Sequence, residues 1–349
     1  MNEPLSTSNS SEPANQRWPL IITLSAIITS LCVFLWEGYL LKEEPLLSVP
    51  DSYELWAKNR AKLASSNQCS MTIVGASRSQ MALDLSILEK LGPSRPIQLS
   101  IMGSRILPVL ENLAMDSNVK GTILVSFEEN NFARIDGIGR AEPWTQKYQL
   151  EITEAHEDPA YFVIERALKS IIDELFMFRK DGGKPMDLLS QTMLNRYTYM
   201  DYERRIFADF NRTNAEDIYQ KRIEHYIGQD PKHYHDPRWE SDQLPRLNKA
   251  IEQLQVNGAK VVLIRFPSTK AIWQGEQIKY PREVYWDRLE ATTKAITFHF
   301  TESPELMKVS LPDGVHPDFR DAPLISQIIS QRVFSKTPLK ETIEQCQQN

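Results

Sequence analysis

The sequence predicts an α/β fold: a parallel sheet with helices on both faces, preceded by a membrane anchor and interrupted by a helical insertion. Three observations carry this reading. Strand-then-helix units recur three times between residues 70 and 131, an apolar strand returns at Lys260–Pro267 after a long stretch of helical periodicity, and Pro19–Trp36 runs 18 residues without a charge. With 349 residues, 41% hydrophobic and 25% charged, the chain can bury a full-sized core plus an insertion, which excludes a disordered protein.

The first 17 residues, rich in Ser, Asn, Pro and Glu, read as a flexible tail. The uncharged run that follows covers about 27 Å as a helix, close to the hydrocarbon thickness of a bilayer. Trp18, Trp36 and Tyr39 sit where an aromatic belt places them, so residues 18–41 read as a single transmembrane anchor, with a buried soluble helix as the alternative. No small-residue cleavage pattern follows at Glu37–Glu44, which favours an uncleaved anchor. Arg17 precedes the span and Lys42, Lys58, Arg60 and Lys62 follow it; this count alone keeps the large domain in the cytoplasm, although long folded domains translocate largely regardless of charge.

A helix over Ser52–Ala64 leads to the stretch around which the chain is organised, Ser70-Met71-Thr72-Ile73-Val74-Gly75-Ala76-Ser77-Arg78-Ser79-Gln80. It reads as a strand, a tight turn at Gly75, and a helix starting near Ser79 and running through Leu83, Leu85, Leu88 and Leu91. Ser77 then stands at the carboxyl end of a parallel strand, where it is either a nucleophile or an ordinary helix cap. Pro96–Ile101 is the second strand, ending at Met102-Gly103-Ser104, and Gly121–Phe127 the third, ending at Glu128-Glu129-Asn130-Asn131. Residues 42–131 therefore form the first part of the sheet domain.

Residues 132–246 carry helical periodicity without clear strands and read as a helical insertion over one end of the sheet, either a substrate lid or a packing element. Tyr161–Arg179 shows a helical apolar stripe, and Tyr197, Tyr199, Tyr202, Phe207 and Phe210 form an aromatic cluster. Residues 247–335 complete the domain with a helix from Leu247, the strand at 260–267, a fifth strand at Ala295–Phe300, the loop Leu311–Pro317 and a helix from Ala322 to Phe334. Residues 336–349 read as a tail.

A nucleophilic serine needs a base, a carboxylate to orient that base, and donors for the developing oxyanion. Asp313 and His316 share one turn-rich loop, Gly103 can offer a backbone N–H and Asn130 a side-chain amide, all at carboxyl ends of predicted strands or in the loop before the last helix. The order Gly75-x-Ser77, Gly103, Asn130, Asp313-x-x-His316 resembles the four blocks of the SGNH (GDSL-like) hydrolase superfamily. The resemblance covers roughly residues 70–131 and 255–335. It implies a flavodoxin-like three-layer sandwich with a five-stranded parallel sheet. It also implies Ser77 as nucleophile, His316 as general base, Asp313 as its orienter, and Gly103 and Asn130 completing an oxyanion hole with the Ser77 N–H.

Two positions depart from that pattern. Gly75-Ala76-Ser77-Arg78 stands in place of Gly-Asp-Ser-Leu, and Glu128 in place of the third block's glycine, leaving Asn131 as a second candidate for the Asn130 role. A Gly-x-Ser-Arg start behind one anchor, with a large insertion, is similar to the membrane-anchored branch that serves alginate O-acetylation and teichoic acid D-alanylation. That similarity implies a domain outside the cytoplasmic membrane, acting as an esterase or O-acyltransferase on an acylated envelope polysaccharide. The alternative is a catalytically silent module that binds a glycan or a membrane-bound acyltransferase.

Other features point elsewhere only weakly. A net charge of −6, with acids and bases interspersed, argues against nucleic acid as a partner. Cys32, Cys69 and Cys346 suggest no disulfide or metal framework. His233-Tyr234-His235-Asp236 offers metal-ligand chemistry but sits among Lys232, Pro237 and Arg238 as a polar surface loop does, and His299 alternates with Phe298 and Phe300 as a structural strand residue. No cofactor motif occurs: the single Gly-x-Ser turn lacks the other glycines of a dinucleotide or P-loop site, and Ser79 breaks the Gly-x-Ser-x-Gly elbow.

Overall fold

The structure is a computed structural model and describes residues 14–43, 48–133, 139–157, 168, 197–227 and 238–348. The Tyr161–Arg179 stripe, apart from the single position 168, and the His233–Asp236 cluster lie outside the described residues. The first helix, Ala14–Glu43, contains the apolar segment Trp18–Tyr39, 22 residues that are long and apolar enough to cross a membrane and none of which is buried. Leu20, Ile22 and Phe34 stand exposed along it, as a helix without protein neighbours requires.

Five strands form one parallel sheet: β1 Met71–Val74, β2 Ile97–Gln98, β3 Gly121–Ser126, β6 Ala259–Arg265 and β7 Ile296–His299, in the order β2-β1-β3-β6-β7. Alternation sorts their side chains into two cores. Ile123, Val125, Val261 and Leu263 pack under the helices Tyr53–Ala61, Leu107–Ala114, Leu244–Val256 and Arg282–Thr292, while Leu124, Val262 and Ile264 pack under Leu85–Leu91 and Ala322–Phe334. Two buried faces explain why these strands read as continuous apolar runs. From β1 the chain crosses to β2 on one side and then returns to β3 on the other, so the carboxyl end of β1 opens on the crevice where the winding reverses.

The first helix after β1 starts at Ser77, two residues before the expected start, and stops at Ala82; Asp84 then caps a separate helix, Leu85–Leu91, by accepting from the amides of Ser86 and Ile87. The insertion is not purely helical. Thr198–Met200 (β4) and Ile206–Ala208 (β5) form an antiparallel hairpin that takes up part of the predicted aromatic cluster, with Tyr199 stacked on Phe207. Residues at both ends of the insertion, Phe132, Ala141, Tyr148, Trp239 and Leu244, belong to the main core.

Two sequence readings are overturned at the carboxyl end. Residues 336–349 are not a bare tail, because Leu339–Gln347 is a helix that buries Leu339 and Ile343 against the sheet's second core. Nor are the cysteines without a framework: Cys69, just before β1, is disulfide-bonded to Cys346, with Cα atoms 5.6 Å apart and a sequence separation of 277. So wide a separation leaves no spacing pattern to read.

Candidate active site

The site begins with the turn after β1. A Cβ at Gly75 would overlap Ser79 Oγ and lie 2.6 Å from Ser126 Cβ, so only glycine lets β1 pass this close to β3 before the chain turns. Ser79 is buried, and its hydroxyl is tied to Ala76 O at 3.0 Å and Ser100 Oγ at 2.8 Å. Ser77 is the partly exposed hydroxyl of the turn. It is not the helix cap, since Ala76 occupies that position and Ser77 Oγ meets a histidine instead.

That histidine comes from the loop after β7. Gly314 takes φ +94°, a left-handed conformation in which other residues are strained, and its carbonyl accepts from the Thr269 amide at 2.9 Å. The reversal lets Asp313 Oδ1 accept the amides of Val315 (3.0 Å) and His316 (2.8 Å), which fixes the loop around its own carboxylate. Asp313 Oδ2 lies 2.7 Å from His316 Nδ1, and His316 Nε2 lies 2.9 Å from Ser77 Oγ. Because a carboxylate only accepts, the ring proton belongs on Nδ1, leaving the Nε2 lone pair facing the serine hydroxyl.

Asp313 is completely buried. Burial by itself pushes its carboxyl up, but the charges of His316 and Arg222, with the amide donors, override it and hold the group well below the usual carboxylate range. Arg222, on the Ala215–Ile227 helix of the insertion, donates through Nη2 to Asp313 Oδ2 at 2.8 Å. Sequence reasoning missed this residue, and nothing local marks it: it sits 91 positions before its partner among many charged residues.

Gly103 and Asn130 lie in the segments that follow the carboxyl ends of β2 and β3, the two strands that flank β1. Gly103 has φ +67° on an exposed turn, which is held from outside by Arg140 Nη2 donating to Met102 O (3.3 Å) and Arg204 Nη2 to Ser100 O (2.7 Å). Asn130 opens the short Asn130–Ala133 helix, and neither its Oδ1 nor the Nδ2 of Asn131 has a hydrogen-bond partner. Among the described residues no hydrogen bond joins Gly103 or Asn130 to the Ser77–His316–Asp313 chain. Beside Asn131 a cleft of about 430 Å³ runs along the Leu107–Ala114 helix, lined in part by Arg105, Asn112 and Gln146.

The two departures from the family pattern face each other. Arg78 Nε lies 3.4 Å from Glu128 Oε2, and Arg78 Nη2 pairs with Glu276 at 2.6 Å. Glu276 in turn pairs with Arg265 at 2.7 Å, and Arg265 with Glu129 at 2.7 Å. Ser268 supports both sides, accepting from Arg78 and donating to Glu276. All five charged side chains are buried, and Arg78 joins the network to the residue after Ser77. The remaining candidate histidine, His299, is structural: mainly burial, with the charges of Arg265 and Arg282, lowers its pKa to about 2, and the neutral ring packs among Trp273, Trp286 and Phe300. Among the described residues no group of three or more His, Cys, Asp and Glu side chains is placed to hold a metal ion.

No protein-family model matches the chain, and a search of curated proteins returns no significant match.

Proposed function

We propose that this protein is a membrane-anchored serine esterase or O-acyltransferase of the SGNH type, acting through an acyl-enzyme on an acylated cell-envelope polysaccharide. The observation that carries the reading is the hydrogen-bonded chain Ser77 Oγ–His316 Nε2–His316 Nδ1–Asp313 Oδ2, set at the carboxyl end of β1. The strand order β2-β1-β3-β6-β7 is that of flavodoxin-like sheets, which supports the three-layer sandwich of that superfamily. In the proposed reaction His316 Nε2 takes the Ser77 proton as Oγ attacks the ester carbonyl. Negative charge gathers on the carbonyl oxygen, where the Ser77 and Gly103 amides and the Asn130 side chain are the donors. His316 returns its proton to the departing alcohol, and water or a sugar hydroxyl then releases the acyl group from Ser77.

The disulfide bears on which side of the membrane this happens. Cys69–Cys346 belongs in an oxidising compartment, which favours an extracytoplasmic domain against the contrary charge count around the anchor. The test is labelling of the full-length chain in detergent with a fluorophosphonate probe. Wild type is expected to label and Ser77→Ala to show no label; absence of labelling in a folded wild type would leave a sheet module that binds its glycan or acyltransferase partner without chemistry.

A further inference from the structure

Asp313 poses an electrostatic problem that the Ser77–His316 pair does not solve. For His316 to act as base its ring must be neutral before the reaction, so the imidazole and the two amides give the buried carboxylate dipoles but no full charge. Among the described residues the charged group in contact with it is Arg222, whose Nη2 shares Oδ2 with His316 Nδ1. Tyr197, at the start of the hairpin, lies within reach of the Asp313 charge; burial, and then that charge, push its phenol up, so it stays neutral and offers no countercharge.

The ionisation state of Asp313 decides what His316 can do. An ionised Asp313 accepts from Nδ1–H and leaves Nε2 free to take a proton. A protonated Asp313 would donate to Nδ1, place the ring proton on Nε2, and leave Ser77 without a base.

We propose that Arg222 is a positioning residue: from the insertion, it keeps Asp313 a carboxylate and so fixes which nitrogen of His316 faces Ser77. The site is then complete only when the Ala215–Ile227 helix is docked, with Tyr219 packed at Gly314 and Lys279 Nζ donating to His225 O at 2.8 Å. This assigns the insertion a part in the chemistry, and it rests on the serine-hydrolase reading. Burial alone drives the Asp313 carboxyl upward; His316 opposes it as a charge only when its ring is protonated, so with a neutral ring it is the charge of Arg222 that brings it down.

The test follows fluorophosphonate labelling rates of the full-length protein in detergent across about pH 5 to 9, the range in which a histidine base switches on. Removing the cation raises the Asp313 carboxyl, so Arg222→Met is expected to label at least about tenfold more slowly than wild type near the acidic end and to recover as the pH rises, moving the acidic limb upward by about one pH unit for each tenfold. Arg222→Lys, which keeps the charge, is expected to restore most of the wild-type profile. Arg222→Gln provides a second neutral variant should the methionine variant not fold. Neutral variants that label with the wild-type profile, or that lose rate equally at every pH, overturn the inference while wild-type labelling leaves the hydrolase reading standing. A wild type that does not label at any pH overturns both.

Discussion

On the proposed serine-hydrolase reading, replacing His316 with alanine is expected to lower turnover of an acetyl ester by about 10³- to 10⁶-fold, and replacing Ser77 in the same chain to lower it little further. The near-equality is the informative part. If Nε2 is the base for Oγ, as their 2.9 Å separation suggests, each residue is useless without the other, so their losses overlap instead of multiplying. Initial rates of the two single variants and the double variant decide the matter. A His316→Ala enzyme within tenfold of wild type, or a double variant far below both singles, refutes the assignment.

Arg265→Met is expected to unfold more easily than any surface substitution, by about 3–5 kcal/mol, because it removes one partner from a buried ion-pair network and strands the others. Arg265 pairs with both Glu129 and Glu276. Two arginines, 78 and 265, face three carboxyls, 128, 129 and 276, so the network already carries one negative charge in excess when all are ionised. Burial accordingly pushes the Glu129 carboxyl up against the pull of Arg265, whereas at Glu276 the two arginines overcome the same burial and hold the carboxyl down. The signs follow. A group raised on folding stabilises the native state at low pH and withdraws that stability as the pH rises through its folded value, and losing Arg265 raises Glu129 further. The variant should therefore regain part of its lost stability on mild acidification, while a simple packing defect would not. Denaturant midpoints at neutral and mildly acidic pH separate the two.

Much of the scaffold was legible because its strands are buried on both faces. Lys260–Pro267 and Gly121–Phe127 lack the alternation of half-exposed strands, and their continuous apolar runs located β6 and β3 to within two residues. The helix from Ala322 to Phe334 was read with its observed bounds, helped by a buried stripe that includes Ile325, Ile329 and Val333. The β4–β5 hairpin was not legible, since three-residue strands are too short to show a period and the turn places Arg204 at φ +67° where a glycine or asparagine would have signalled it. At the site, the Asp-x-x-His spacing and the glycine before Ser77 are local signals. The pairing of Arg78 with Glu128 was visible only as two separate departures from one family pattern. Nothing in the local sequence linked the two positions, and the Arg222 contact, which depends on how the insertion folds back, likewise has no counterpart there.

The bond between Cys69 and Cys346 has a topological consequence. It closes a covalent ring around all five strands of the sheet and the whole insertion. One cut by a protease anywhere inside that ring opens the loop without releasing a fragment: the nicked protein migrates whole until a reductant is added, and only then falls into two pieces. A cut within the insertion thus leaves Ser77 and His316 in the same covalent molecule.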